Sequence, residues 1–436
     1  MKRVMTGILA LVLLLPLSVR GQKLLTLEEC IQSALQNNWT YKSAVWGNKS
    51  AGNDLWSAWG RFLPRVDLSF SNSSIGFGPS SPLIDEQGIL RPGTSAFQTK
   101  SYSAGFTASQ TIFDGGAFYN YLANKNSSKS SSDYGLLFNK QTLIYDLKQF
   151  YFNYLRAKML LEVQREVVKR GEQQLKIAQS RYELGSASKS DFLKAKVQYG
   201  QDQLALMKAE NQVQVAKSNL NAIMGQSVDQ EFDIQEELGQ TPMALSYDES
   251  AKLAYKNHPT IRQSESDLDA AESNVGVARA GYLPSVTVFG GRTWRGSALG
   301  DIDNMDKRDY TWNIGLSVNF NLFEGFSTQT AYFNARNQAK IAQESVEKTK
   351  SDVALEVKQA YLAIEEGRKS ITVAEENVQA AEEDLNLVQE KYRLGAASIL
   401  ELLDAQVSFQ TANSDHIQRL FDYNLAVARL ERAVGR

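Results

Sequence analysis

The sequence predicts a mostly α chain with a membrane β-barrel portion, built as two structural repeats that each run helix–strand–strand–long helix–helix. Three observations lead there. Motifs in the first half of the 436 residues recur in the same order in the second half. Each half contains segments in which apolar and small polar residues alternate, the pattern of strands with one face in lipid and the other in water. Each half also contains a proline-free stretch patterned in heptads, long enough for about 100 Å of helix at 1.5 Å per residue.

Composition excludes several classes. Lys and Arg number 47 against 49 Asp and Glu, a net charge of −2, so no basic field points to nucleic acid. Cys30 is the single cysteine, which removes disulfide frameworks and cysteine-based metal sites. The two histidines, His258 and His416, lie far apart in sequence and read as packed or surface residues, so no metal or cofactor is expected. Lys2 and Arg3 precede an apolar run from Ile8 to Leu17, too short to span a bilayer and right for a cleaved signal peptide over residues 1–21. Export from the cytoplasm follows.

The repeat runs through the rest of the chain. Leu25-Thr26-Leu27-Glu28-Glu29 returns as Leu245-Ser246-Tyr247-Asp248-Glu249, and Leu63-Pro64 as Leu283-Pro284. Phe113-Asp114-Gly115 returns as Phe323-Glu324-Gly325. Tyr182-Glu183-Leu184-Gly185-Ser186-Ala187-Ser188 returns as Tyr392-Arg393-Leu394-Gly395-Ala396-Ala397-Ser398. The spacing shortens between Pro64 and Gly105, so the first half carries the longer loop there. The first repeat is expected at 22–235 and the second at 236–436, the two forming one structural unit.

Each repeat opens with a helical pattern, about Thr26–Trp59 and Tyr247–Gly281, which Pro64 and Pro284 bring to an end. A hairpin of strands about 10 residues long follows, at about 64–113 and 284–323. In the segment from Thr311 to Leu322, Trp312, Ile314, Leu316, Val318, Phe320 and Leu322 face one side and small polar residues the other. Val66, Leu68 and Phe70 oppose Asp67, Ser69 and Ser71 in the same way. Trp294, Tyr310 and Trp312 are suited to an interfacial belt. The hairpin loops are expected at about 72–98 and 292–309. Asp114-Gly115-Gly116 and Glu324-Gly325 turn the chain into coiled-coil hairpins at about 117–224 and 327–434. The seam of the second runs through Ile371, Ala374, Val378, Ala381, Leu385, Val388 and Tyr392. Leu161, Val168, Leu175, Ala178 and Tyr182 match it in the first, facing a seam through Phe192, Ala195, Tyr199, Leu206, Ala209, Val213, Ala216 and Leu220. Gly185 and Gly395 mark the hairpin tips. Four strands per chain cannot close in lipid, so chains must associate; three would enclose a lumen with small polar residues inward.

The two-fold repeat, the Leu-Pro step into each strand, the Phe-Asp/Glu-Gly exit and the paired Tyr-x-Leu-Gly-x-x-Ser tips together resemble the TolC family of outer-membrane efflux proteins, over the whole mature chain. The resemblance implies a homotrimer with a twelve-stranded barrel in outer-membrane lipid and an α-helical tunnel crossing the periplasm. It implies a passive conduit for efflux or type I secretion, served by a periplasmic adaptor protein and an inner-membrane pump. It further implies that the tunnel narrows at the tips. The positions matching an acidic ring there are Glu401 and Asp404. Ser398-x-x-Glu401 and Ser188-x-x-Asp191 equally fit capping boxes, and that alternative stands beside the pore role. The matching contact between tips is Tyr392 with Asp191, and a basic partner expected shortly after is replaced by Ala397. The adaptor-contact tips would be Leu184, Gly185 and Ser188 with Leu394, Gly395 and Ser398. Three rivals compete. An enzyme would need a nucleophile elbow, phosphate loop or metal cluster, and the sequence shows none. A diffusion porin would need more strands per chain. A periplasmic coiled-coil scaffold without a pore accounts for the heptads but not for the strands.

Overall fold

The structure, a computed structural model, describes residues 24–84, 86–235, 245–303 and 310–435. The expected signal peptide lies outside these residues, as do part of the junction between the halves and the end of the second hairpin loop.

The chain opens with β1 (Leu24–Leu25), α1 (Leu27–Asn37) and α2 (Trp39–Gly60). The strand β2 (Arg65–Phe77) follows, then a small ribbon of β3 (Leu83–Ile84) and β4 (Leu90–Arg91), and β5 (Phe97–Phe113) returns. Two long helices come next, α3 (Ala117–Glu183) and α4 (Lys189–Ile223), followed by β6 (Asp233–Ile234), which pairs with β1. The second half runs α5 (Tyr247–Asn257), α6 (Pro259–Ala280), β7 (Ser285–Gly296), the single turn α7 (Gly300–Asp303), β8 (Tyr310–Asn319), α8 (Ser327–Arg393) and α9 (Ile399–Ala433).

The structure corrects several expectations. The opening helical pattern of each half is two helices, not one. In the second half Pro259 pushes His258 to φ −65° and ψ 122°, out of the helical region, and starts α6 at its first turn. His258 then caps α6, its Nδ1 accepting the Thr260 N–H at 3.3 Å. Asn38 does the same for α2, accepting the Tyr41 N–H at 3.0 Å. The first hairpin is longer than expected, with β2 of 13 residues and β5 of 17 extending into the segment read as loop. Polar cross-strand pairs continue the ladder there: Ser71 with Ser103 at 2.8 Å, Gln98 onto Ser74 at 2.6 Å, and Phe77 stacked on Phe97 at 4.8 Å. Conversely β8 ends at Asn319, so Phe320 and Leu322 lie past the strand.

The four long strands form one antiparallel sheet in the order β2-β5-β7-β8. Its register brings the apolar residues of both hairpins onto a single face. Val66, Ala108, Gly290 and Ile314 form one row across it, Leu68, Phe106, Arg292 and Trp312 the next, and Phe70, Ala104, Trp294 and Tyr310 the third. The other face carries Asp67, Thr107, Gly291 and Asn313, then Ser69, Gly105, Thr293 and Thr311. The apolar face covers no core: Leu68 is 83% exposed and Ile314 74%. A water-soluble sheet would bury those side chains, each worth about 1.5–3 kcal/mol. Among the described residues the outer edges of β2 and β8 have no partner strand.

Below the sheet α2 packs on α3, α3 on α6 and α6 on α8, one row of helices continuing the row of strands. Toward the far end the row becomes α4, α3, α9 and α8. The change from strand to helix is abrupt because Gly115 and Gly116 both adopt positive φ, and a Cβ on Gly115 would lie 2.8 Å from the Ala280 carbonyl oxygen. In the second half Phe326 takes that conformation, at φ 68°, a costly one for a bulky residue. Each half has its own core around Leu147, Leu155 and Leu220 in the first and Val357, Ile371 and Leu430 in the second. Truncating the fully buried Leu147 or Leu155 to alanine would cost about 2–5 kcal/mol. Cys30 belongs to the first core, where burial pushes its thiol up to about 11.

Candidate functional site: the helical tips

Both hairpins turn in the same way. At the first, the Gly185 N–H donates to Tyr182 O at 3.0 Å and the Ser186 N–H to Arg181 O at 2.8 Å. At the second, Gly395 donates to Tyr392 O at 3.0 Å and Ala396 to Lys391 O at 2.8 Å. These paired bonds satisfy carbonyls that a helix end leaves free, and they require the positive φ that the glycines supply, 73° at Gly185 and 77° at Gly395. Ser188 and Ser398 then start the return helices, each hydroxyl accepting an N–H three residues on. The two starts differ. Glu401 completes a capping box by accepting the Ser398 N–H at 2.6 Å, whereas Asp191 returns no such bond. That backbone hydrogen bond holds the Glu401 carboxyl below its ordinary value.

The expected tip residues fall into two groups. Leu184, Gly185, Ser188, Leu394, Gly395 and Ser398 are all exposed at one end of the molecule, with the Leu184 side chain 82% exposed. Leu184 and Leu394 thus present apolar surface that no described residue covers. Glu401 and Asp404 are exposed on one face of α9, three residues apart, with Leu402 and Ala405 buried behind them.

Tyr392 is placed differently from the expectation. The residue is 6% exposed, packed with Leu385, Ile399, Leu402 and Ala405. Among the described contacts of the chain it makes no hydrogen bond to Asp191. The link from first tip to second is made by Arg181, which the sequence did not single out for this. Arg181 Nη2 donates to the Tyr392 carbonyl at 2.9 Å and to the Arg393 carbonyl at 2.8 Å. Its guanidinium also lies 4.6 Å from the centre of the Tyr392 ring. A cation therefore sits on the last carbonyls of α8, where the helix dipole is negative and the acceptors lack intrahelical donors. Arg181 is the end of a series on α3. Arg156 reaches α9 through Gln418 at 2.6 Å and the Phe421 ring at 4.6 Å, and Arg170 reaches the Phe409 ring at 5.0 Å. Arginines at these intervals share a helix face, a signal present in the sequence but recognisable only once α3 is known to lie against the second hairpin.

The first hairpin also holds an acid in its seam. The expected heptad through Ala195, Tyr199, Leu206 and Ala216 passes over position 202, where Asp202 is 7% exposed. Gly171 faces it: a Cβ there would come within 2.7 Å of Asp202 Oδ2. The buried line on α3 therefore runs through Gly171, Gln174 and Ala178, while Tyr182 of the expected seam is exposed. Burial raises the Asp202 carboxyl above its ordinary value, opposed by the Gln198 amide that donates to it at 2.8 Å. Leu193, Val197 and Leu400 form an exposed apolar groove close by, between α4 and α9. Among the described residues no group of three or more His, Cys, Asp or Glu could hold a metal ion. No described helix is long and apolar enough to cross a membrane.

Comparison with known proteins agrees with this architecture. The family model described as outer membrane efflux protein matches residues 30–226 and 251–436. The outer membrane protein TolC of Vibrio cholerae serotype O1 is 24% identical over 411 residues, covering 91% of this chain and 92% of that protein. The outer membrane efflux protein BepC of Brucella suis is 23% identical over 434 residues, covering 98% of this chain and 89% of that one. Among solved structures, the Vibrio cholerae outer membrane protein VceC superposes with a TM-score of 0.77 at 17% identity, over 94% of this chain and 96% of that one. The Campylobacter jejuni CmeC outer membrane channel gives 0.79 at 19%, over 94% and 85%.

Proposed function

The chain belongs to the outer membrane efflux protein family, and from that premise we propose that it is the passive conduit of an efflux or type I secretion assembly in the outer membrane. The observation that supports this most is the open four-stranded sheet with one bare apolar face, one polar face and two unpaired edges. Lipid does not tolerate open edges, so copies join edge to edge, and three supply twelve strands around a wet lumen. The helices that continue each strand row extend the same tube through the periplasm. Its walls are inert: the chain moves solute along a path and catalyses nothing. An energised inner-membrane pump supplies the driving force through a periplasmic adaptor.

Within this reading the exposed Leu184 and Leu394, with the glycine turns and serine caps beside them, form the surface the adaptor grips. Glu401 and Asp404 place acidic rings at the inner mouth and favour cations there. Arg181 holds the second tip against the first in each protomer. Purified mature chain should run as a trimer in detergent and give stable, cation-preferring conductance in planar bilayers. A chain that is monomeric and soluble without detergent would end the proposal and favour the coiled-coil scaffold.

A further inference from the structure

Arg292 stands on the wrong face of the sheet for a charge. Its cross-strand neighbours are Phe106 on one side and Trp312 on the other, in the row that begins with Leu68. The guanidinium is clasped by rings, 4.7 Å from the centre of Trp294 and 3.8 Å from that of Tyr310. Among the described residues no carboxylate pairs with it, and its buried Nε has no hydrogen-bond partner. The rings stabilise a cation but accept few of its five N–H groups. Beside it the Trp312 side chain is 70% exposed, a flat apolar surface open to the surroundings.

Its height on the barrel narrows what can answer that charge. Phe106 is the residue of β5 opposite Arg292, and among the described strand residues Lys100, six residues further toward the loops, is the next basic group on that face, about 20 Å along the strand. Tyr102, Trp294, Tyr310 and Trp312 lie around this level, as the aromatic girdle at one border of the apolar band does. Arg292 is thus at the headgroup border, on the loop side, facing outward. An arginine there needs an anion from the membrane itself, and the fork of a guanidinium matches phosphate. An exposed indole beside it suits the face of a sugar ring.

We propose that Arg292, with Trp294, Tyr310 and Trp312, binds the phosphorylated sugar headgroup of an outer-leaflet glycolipid. This rests on the reading of the sheet as part of an outer-membrane barrel whose loops face outward. The phosphate neutralises Arg292 and completes its hydrogen bonds, and the sugar covers Trp312. Bound lipid also fastens β7 to β8, because Trp312 and Tyr310 lie on one strand and Arg292 and Trp294 on the other.

The test uses delipidated trimer in detergent and native mass spectrometry. The probes are hexa-acylated diglucosamine bisphosphate, its dephosphorylated form, phosphatidylglycerol and inorganic phosphate. The bisphosphate should bind at least ~10-fold tighter than the dephosphorylated lipid. Arg292→Gln should abolish that preference, Arg292→Lys should keep part of it, and Arg295→Gln on the polar face should leave it unchanged. Equal binding of the phosphorylated and dephosphorylated lipids overturns the proposal, as does an unchanged preference in Arg292→Gln. Phosphatidylglycerol binding as tightly as the bisphosphate removes the sugar from it, and displacement by millimolar inorganic phosphate replaces it with a free-phosphate site. The same preparations are assayed for trimer and conductance. Pore-forming trimers without lipid preference overturn this site alone, whereas a monomer without conductance overturns the conduit reading beneath it.

Discussion

Removing Arg181 should loosen the second tip from the first without unfolding either. The side chain makes two hydrogen bonds to backbone carbonyls, 2.9 Å to Tyr392 O and 2.8 Å to Arg393 O, and one ring contact at 4.6 Å. Hydrogen bonds from a charged donor contribute about 1.5–3 kcal/mol each in protected surroundings. One of these bonds is exposed and the other partly so, which brings the pair to about 2 kcal/mol. The ring contact adds roughly 0.5 kcal/mol at such a site. Loss of about 2.5 kcal/mol shifts the ratio of docked to undocked tips by about 60-fold in each protomer. Three protomers share one mouth, so Arg181→Ala should show frequent steps to larger conductance in single-channel recordings. Spin labels at Ser186 and Ala396 should report a broader distance distribution. Arg181→Lys keeps the charge but not the planar fork, and should fall between alanine and wild type. A conductance histogram and a distance distribution both identical to wild type in Arg181→Ala would refute the reasoning.

Four further outcomes follow from the tips and seams. Burial raises the Asp202 carboxyl, so the folded chain holds a proton there more tightly than the unfolded chain, and the charged form costs stability above the folded value. That cost fades as pH falls through the window between the folded and unfolded values. Asp202→Asn should therefore raise the melting temperature at pH 7 and show a much smaller gain at pH 4; a gain independent of pH would contradict this. Gly395→Ala meets no atom within 4 Å but must hold φ near 77°, and should lower the protection of tip amides against hydrogen exchange by about 1 kcal/mol. Gly200→Ala, in open space within α4, should raise stability by a similar amount, about 1 kcal/mol. Asp404→Asn and Glu401→Gln should each lower the cation preference measured from reversal potentials, while glutamine at 401 preserves the cap on Ser398; unaltered reversal potentials would leave Glu401 as a cap alone.

The features that the sequence made legible are those written in local chemistry. Strand alternation from Thr311 to Asn319 reports its own two faces, because side chains in a strand point alternately to either side. The tip glycines announce themselves because the backbone there needs positive φ. Glu401 was readable as a capping residue from its spacing to Ser398. Structure and sequence differ where one local signal overrides another. Pro259 breaks the 3.6-residue pattern at His258 and so divides the opening helix, which apolar periodicity alone does not reveal. The strand ends were misplaced because Phe77 and Phe97 prolong the ladder through a cross-strand stack that neither segment reveals alone.

What the sequence by itself determined is the repeated unit, the membrane-facing strands, the long helices and the position of the tips, since each follows from spacing within a few turns of chain. Only the tertiary structure decided which distant groups meet. Arg181 serves carbonyls 211 and 212 residues away, Asp202 lies in the space left by Gly171, and Arg292 sits among rings drawn from two strands. Such pairings depend on how α3 lies against α4, α8 and α9, and on the sheet register. Packing of whole faces sets both, and residue-level periodicity constrains a face without naming its partner.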